Sequence, residues 1–323
     1  MAESVIKKDF VGFNFGYEFY NGKQIFKNQW SLGVVVDEVV RLRHTGQLND
    51  EEFAIIKFIF DHTMATAGIV RDYIRPDTPL EIVEDMLEKL VKLRFLNKFA
   101  ITAFKAEEYP VDALDIYCLD YGGKKLLMHY GDPEDEVDKW TQSNVMLSVS
   151  RISEKLVSAD FHVQLMKNCG EELVYIKNNP VYRKTKDPTV PAFEFCIKHN
   201  DGHKYFIGVI ARETSLQPHF RDLVGKLDDL ICSKAWKRYF YDEPEAPVLI
   251  VLAENDKVAV ESAKIINART SIKAVRYTTD DRIHQPLSKK GAFLKFVKEG
   301  ESEAHPEAHL AAVKATFFAG RKE

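Results

Sequence analysis

The sequence predicts a mixed α and β chain of two domains, with helices first and a mixed sheet second. The chain has 323 residues, whereas single hydrophobic cores usually stop growing at about 250–300 residues. Hydrophobic residues make up 45% and charged residues 29%, which is an ordinary globular composition with enough apolar side chains for a sizeable core. Apolar residues recur at helical spacing in the first part, and from residue 99 onward β-rich runs become frequent.

Composition and charge exclude several classes of protein. The formal net charge is −4, so any contact with DNA must use a local basic patch. No run approaches the roughly 18 apolar residues of a membrane helix, which predicts a cytoplasmic protein with no membrane partner. Phosphate-binding glycine motifs are absent from the sequence, and no cofactor is expected. Four cysteines are too far apart for paired metal-ligand spacing, and we interpret all of them as reduced: Cys118, Cys169, Cys196 and Cys232.

The first part of the chain predicts an aromatic arm and then a compact helical unit. Residues 1–46 are predicted to form the arm and a helix over residues 32–44. Asn49 or Asp50 then caps a helix, a short helix follows over residues 65–73, and Thr78 and Pro79 open a third helix that extends to Phe95.

Two β-rich runs follow these helices. They cover residues 99–104 and 113–119, and a polar loop separates them. Three helices followed by such a hairpin is the order of a winged helix-turn-helix, which we assign to residues 47–135. A closing helix over residues 121–130 and an acidic, proline-containing run over residues 131–138 predict a domain boundary near residue 135.

The second domain, residues 140–300, is predicted to combine antiparallel strands with βαβ units, and residues 301–323 form a C-terminal tail. Antiparallel strands that give way to βαβ units predict a mixed sheet with helices on its faces. The predicted helices cover residues 144–167, 217–239 and 258–269, and the predicted strands cover residues 173–177, 192–199, 205–211, 247–252 and 273–278.

This layout resembles the replication-relaxation family of plasmids and other mobile elements. The resemblance covers roughly residues 48–279 and rests on the order of elements and on short patches at residues 115–122, 190–194 and 212–214. In that family a winged helix precedes a domain similar to the restriction-endonuclease fold. The resemblance implies a DNA-binding or regulatory role in the replication, maintenance or gene control of a bacterial mobile element.

The chemistry of a nuclease domain can be tested on the residues themselves. Such a domain needs one carboxylate at the end of a strand and an acid-x-lysine triplet on the next, because the acids hold a divalent metal. Here Ala192 follows Pro191, and residues 209–211 are Val-Ile-Ala, so the metal-binding positions are apolar. The sequence therefore predicts no catalytic site and no metal. A divergent metal-dependent nuclease would have to use other residues: Glu194, Glu213 and Lys226, with Glu154 as a further candidate.

The DNA-binding hypothesis depends on a set of cations in the winged helix. We expect them to gather on one side and contact phosphates: Arg71, Arg75, Lys89, Lys92, Arg94, Lys98 and, at the tip of the wing, Lys105. The first half of the third helix instead carries Glu81, Glu84 and Asp85, which would repel phosphate. The alternative is that these cations lie on solvent-exposed helix faces and form ion pairs within their own helices.

Two partner hypotheses remain open beside double-stranded DNA. Winged helices also dock proteins, so the chain could be a protein-interaction scaffold alone. The helix over residues 217–239 carries much apolar surface, which either forms a homodimer interface or is covered by residues 293–318.

Overall fold

The computed structural model describes residues 5–10, 12–103, 108–132, 136–183, 188–199, 202–240, 245–297 and 310–315. The chain divides into two compact units, Met1–Val163 and Gln164–Glu323. The division falls within a long helix, whereas the sequence predicted a boundary near residue 135. Residues 137–163 belong to unit 1 because Val137, Trp140 and Val149 are buried in its core.

Unit 1 consists of helices around a four-stranded antiparallel sheet. Its elements are β1 (Lys23–Phe26), α1 (Val36–His44), α2 (Asp50–His62), β2 (Met64–Thr66), α3 (Ala67–Ile74), α4 (Leu80–Lys92), β3 (Leu96–Thr102), β4 (Ile116–Leu119), α5 (Tyr121–Tyr130) and most of α6 (Val149–Cys169). The strand order is β1-β3-β4-β2. The succession α2-β2-α3-α4-β3-β4 is the predicted order of a winged helix, with β2 added.

The helices of unit 1 form where the sequence supplies caps and an apolar stripe. Asn49 accepts a hydrogen bond from the Glu52 backbone, and the Glu52 carboxylate accepts one from the Asn49 backbone, which is a complete capping box for α2. On α4, the buried residues recur every three to four positions: Val83, Leu87, Leu90 and Val91. This helix ends at Lys92, earlier than the predicted Phe95, because Arg94 adopts a positive φ of 64°.

The predicted N-terminal arm belongs to the sheet. Strand β1 pairs with β3, and residues 5–8 lie between the two strands of the wing at their open end. The Ile6 amide donates to the Ile101 carbonyl, and the Leu114 amide donates to the Ile6 carbonyl, at 3.3 and 2.7 Å. Ile6 is buried in the core of the unit. The wing is therefore a hairpin split by the N-terminal segment.

Unit 2 is built on a seven-stranded mixed sheet, which confirms the predicted fold class. Its elements are β5 (Leu173–Asn178), β6 (Phe193–His199), β7 (Gly202–Ala211), α7 (Arg221–Cys232), β8 (Val248–Ala253), α8 (Asp256–Arg269), β9 (Val275–Thr279), β10 (Phe293–Phe296) and β11 (Leu310–Val313). Strands lie in the sheet in chain order. The pairs β7-β8 and β8-β9 are parallel, joined by α7 and α8, and the outer pairs are antiparallel.

The long helix predicted over residues 217–239 is interrupted. A π-helical turn precedes α7, which ends at Cys232, and Lys234 has a φ of 58° before a short 3-10 turn. The apolar side chains of α7 pack into the core of unit 2. None of the exposed large hydrophobic residues in the described part of the chain lies on α7. This burial favours the second of the two alternatives, in which the helix is covered within the domain, whereas a homodimer interface stays a prediction.

The C-terminal segment contributes strands that the sequence did not predict. Strands β10 and β11 extend the sheet at its β9 edge, and Phe296 and Leu310 pack against the same core as α7. The predicted tail over residues 301–323 thus includes one strand, Leu310–Val313.

Candidate functional site

The outward face of α4 is the surface that a winged helix presents to a partner. It borders a depression of about 440 Å³, and the residues that line it are Gln47, Asp85, Glu88, Lys89, Lys92 and Leu93. Lys92, Glu81 and Asp85 are exposed, whereas Glu84 forms an ion pair of 2.7 Å with Lys8 of the N-terminal segment. The N-terminal half of this face is therefore acidic, and the basic group lies near its C-terminal end.

Three of the predicted DNA-binding cations are paired with carboxylates of the same unit. Arg75 holds Glu51 through two hydrogen bonds of 2.5 and 2.6 Å. Lys89 bonds Glu52 at 2.7 Å. Arg71 bonds the adjacent Asp72. These cations face acids of α2 and α3, so they do not form one uncompensated patch.

Lys98 lies inside the unit. It is 8% exposed on β3, and its Nζ contacts Glu88 at 2.5 Å and Asp115 at 2.7 Å. Burial lowers the pKa of Lys98, but the hydrogen bonds to Asp115 and Glu88 outweigh burial and raise it above its ordinary value. Tyr109 also donates to Asp115. We correct the prediction for Lys98: its ammonium group joins α4 to the base of the wing and does not reach the surface.

Two of the remaining predicted cations, Lys92 and Arg94, lie around the end of α4. Lys92 is exposed. Arg94, just past the helix, donates a long hydrogen bond of 3.4 Å to the carbonyl of Gln29. Lys105 lies outside the described residues. Lys92 and Arg94 therefore take part in none of the ion pairs that the structure shows among the described residues.

In unit 2, apolar groups occupy the positions where a nuclease of this outline has its acids. The Ala192 amide donates to the Gly208 carbonyl at 2.9 Å, which places the start of β6 beside the end of β7 as the sequence predicted. Val209 and Ala211 are buried in the core cluster. A Cβ on Gly208 would come within 1.8 Å of the Phe193 ring, so the aromatic side chain fills the space at this point.

The fallback catalytic residues have separate partners. Buried Glu194 accepts a hydrogen bond from Tyr182, and burial raises its pKa. Glu213 is exposed and pairs with Lys257 at 3.0 Å.

Lys226 likewise has a partner on its own helix, because it forms an ion pair of 2.9 Å with Asp222. Glu154, of unit 1, pairs with Arg151 at 2.6 Å. Within the described ranges, no three side chains of histidine, cysteine, aspartate or glutamate are grouped as metal ligands. The arrangement supplies no acid-acid-lysine constellation from these residues.

Two buried polar pairs were missed by reasoning from the sequence. Arg212, 3% exposed after β7, bonds both oxygens of Asp280 after β9, at 2.9 and 2.7 Å. In unit 1, His62 Nε2 lies 2.7 Å from His162 Nδ1. The partners are 68 and 100 residues apart in the chain, so no local pattern could have paired them.

Compared with protein-family models and with curated proteins, the chain matches none. Among the helices of the described residues, none combines the length and apolar character needed to cross a membrane.

Proposed function

We propose that the protein is a non-catalytic DNA-binding protein that contacts duplex DNA through the winged helix of unit 1. The observation that carries the proposal is the succession α2-β2-α3-α4-β3-β4, in which α4 exposes one face in the manner of a recognition helix. Lys92 on that face and Arg94 beyond it are suited to phosphate oxygens. Both lie near the C-terminal end of α4, away from Glu81 and Asp85.

One exposed ion pair of unit 1 can supply a further cation at small cost. The side chains of Arg75 and Lys89 are 47% and 43% exposed, and each bonds a carboxylate. Surface ion pairs contribute only about 0–1 kcal/mol. A DNA phosphate can therefore replace Glu51 as the partner of Arg75 without a large loss of stability. Lys89 is held more firmly, because the Glu52 side chain is only 3% exposed and would lose its ion pair if Lys89 turned to a phosphate.

The resemblance of the sequence to the replication-relaxation family supports the biological setting of this proposal. We propose that the binding serves the replication, maintenance or gene control of a bacterial mobile element in the cytoplasm, as the resemblance implies. The apolar residues Ala192, Val209 and Ala211 support a non-catalytic unit 2, because they cannot ligate a metal. A divergent nuclease is less favoured, since Glu194, Glu213 and Lys226 each bond a different partner.

The test is binding of random-sequence duplex DNA, followed by fluorescence anisotropy across a salt series. Each lost phosphate contact should lower the slope of log K against log salt by about 1. We expect this change for Lys92→Ala and for Arg94→Ala. Lys139→Ala is the matched control, because Lys139 is an exposed lysine of the same unit paired with Glu136 away from α4.

The triple variant Lys92→Glu, Arg94→Glu and Lys105→Glu should lose most of the affinity. Wild-type protein that shows no salt-dependent binding would overturn the proposal. The same conclusion would follow if Lys92→Ala and Lys139→Ala had identical slopes.

A protein-docking role is the second candidate, and the acidic half of α4 favours it. Glu81 and Asp85 are exposed beside Ile82, which is itself 45% exposed. This combination suits a basic, partly apolar protein segment. Absence of duplex binding in the salt series would leave this candidate in place.

A further inference from the structure

The N-terminal segment places a lysine against the acidic side of α4. Its backbone is fixed between the two strands of the wing, where the Lys8 amide donates to the Asp112 carbonyl at 3.0 Å and Ile6 is buried. From this anchored position the Lys8 side chain reaches Glu84 on α4, with its Nζ 2.7 and 2.8 Å from the two carboxylate oxygens. The segment thus brings a positive charge to a helix that lies 76 residues further along the chain.

Three carboxylates act on this ammonium group. The hydrogen bond to Glu84 raises the pKa of Lys8 above its ordinary value, and slight burial opposes this effect. The charges of Asp115 and Glu81 raise the pKa as well, so both carboxylates lie near the ammonium group. Lys8 therefore lies where negative charge is concentrated between α4 and the wing.

A second lysine has the same relation to α4 one turn further along the helix. Glu88 follows Glu84 on the same side of α4 and bonds Lys98, whose side chain is only 10% exposed. The Lys8 side chain, in contrast, is 62% exposed. The neutralisation of Glu88 is therefore part of the interior, whereas that of Glu84 depends on one side chain that can be removed without disturbing the core.

We propose that Lys8 screens the charge of Glu84 and so allows duplex DNA to approach α4. This inference rests on the proposed function and makes Lys8 a positioning residue of the DNA contact. The pair of Lys8 and Glu84 has no net charge, whereas Glu84 alone would present a carboxylate to the phosphates. Like charges brought together across an interface cost affinity. Because three carboxylates already attract Lys8, a phosphate competes poorly for it, and the lysine stays on Glu84 when DNA binds.

The test is a double-mutant cycle of the full chain, with binding of random-sequence duplex DNA measured by fluorescence anisotropy at one low salt concentration. Lys8→Ala leaves the carboxylate of Glu84 bare and should weaken binding by about fivefold or more, the effect of one like-charge contact in water. Lys8→Ala/Glu84→Gln is neutral again at this point and should return to within about twofold of the wild-type affinity. Glu84→Gln alone should bind at least as tightly as wild-type protein.

Lys7→Ala is the matched control for the loss of one positive charge. Lys7 is exposed and adjacent to Lys8, but its side chain points to the other side of the segment because side chains alternate along an extended strand. Its removal leaves Glu84 screened and should keep the affinity close to that of wild-type protein. The loss of the exposed pair of Lys8 and Glu84 is too small to unfold the unit, and circular dichroism checks that each variant is folded.

The outcomes separate this inference from the proposed function. Wild-type protein that does not bind duplex DNA would overturn both. If wild-type protein binds, equal affinities for Lys8→Ala and Lys7→Ala would overturn the screening alone. So would a double variant as weak as Lys8→Ala, because the lysine would then contact a phosphate directly.

Discussion

The buried histidine pair of unit 1 predicts that this unit loses stability in mild acid. His62 at the end of α2 and His162 on α6 share one hydrogen bond between ring nitrogens, and the ring that accepts it must be neutral. The ring of Phe58 lies 4.5 Å from that of His62. Burial lowers the pKa of His62 well below its ordinary value, and the charges of His162 and Lys155 lower it further. Burial likewise lowers the pKa of His162 to about 4.

The size of the effect follows from proton linkage. A histidine in the unfolded chain titrates near about 6.5, whereas His162 in the folded unit takes up its proton only near pH 4. Falling pH therefore protonates the unfolded state first, and stability is lost between about pH 6.5 and pH 4. At pH 5 the loss from His162 is about 2 kcal/mol, and His62 adds to it in the same direction. Lys155, whose pKa burial lowers to about 8, stays charged in both states across this range.

The perturbation that isolates the pair is the double variant His62→Gln/His162→Asn. Glutamine and asparagine place amide groups near the positions of His62 Nε2 and His162 Nδ1. One amide can donate its N–H to the carbonyl oxygen of the other, so a hydrogen bond can remain while the titration is removed. Urea unfolding is followed by tryptophan fluorescence in a Trp236→Phe background, because the other two tryptophans, Trp30 and Trp140, both lie in unit 1.

Between pH 7.5 and pH 5 the parent protein should lose about 2 kcal/mol or more of unfolding free energy beyond the loss in the double variant. Carboxylates elsewhere contribute equally to both proteins and cancel in the comparison. Parallel pH profiles for the two proteins would refute the reasoning, since they would show that the histidines protonate without cost in the folded unit.

Three other predictions concern unit 2 and are measured by urea unfolding. Asp280→Ala leaves the buried Arg212 guanidinium without its carboxylate and should cost about 3–5 kcal/mol, visible also as faster hydrogen exchange in β7 and β9. Gly208→Ala should cost about 1–3 kcal/mol, because its methyl group would overlap the Phe193 ring. Gly225→Ala should instead stabilise by about 0.5–1 kcal/mol, since this position on α7 has open space for a methyl group; a loss of stability there would contradict the assignment.

Local sequence signals were sufficient for much of the fold. Asn49 or Asp50 was predicted to cap α2, and in the structure Asn49 does so, in a capping box with Glu52. The continuous apolar run over residues 247–252 predicted a buried strand, and β8 covers Val248–Ala253. In both cases the residues that define the element are neighbours in the chain, so pattern and structure coincide.

Elements that depend on distant partners escaped prediction. Strand β1 has no clear alternation of apolar and polar residues. It forms because it can pair with the edge of β3, where Phe26 lies opposite Phe99. Residues 5–8 pair with residues 101–102 and 112–114, which lie about 100 residues further along the chain, so no local pattern could have predicted their place. The strand β2 is only three residues long and was absorbed into the predicted helix over residues 65–73.

The charged residues of the candidate site were predicted only in part for the same reason, because their partners are distant in the chain. Spacing along α3 and α4 placed the cations of the winged helix on plausible faces but could not show which carboxylates would fold beside them. Glu51 and Glu52 lie 24 and 37 residues from Arg75 and Lys89 in the chain, and only the tertiary fold of unit 1 brings these side chains together. Lys98 was included in the DNA-binding set because the spacing of the basic residues permits a patch, whereas β3 directs its side chain between Glu88 and Asp115.

The distribution of charge along α4 also constrains how the proposed DNA contact can work. A recognition helix reads bases with its N-terminal residues, and here those positions carry Glu81 and Asp85, which repel phosphate. Lys92 and Arg94 at the other end can reach phosphates but are poorly placed to read base edges. Contacts of that kind fix the protein on the duplex and carry no sequence information. The proposed binding is therefore expected to depend strongly on salt and weakly on DNA sequence, which is why a random duplex is a sufficient probe.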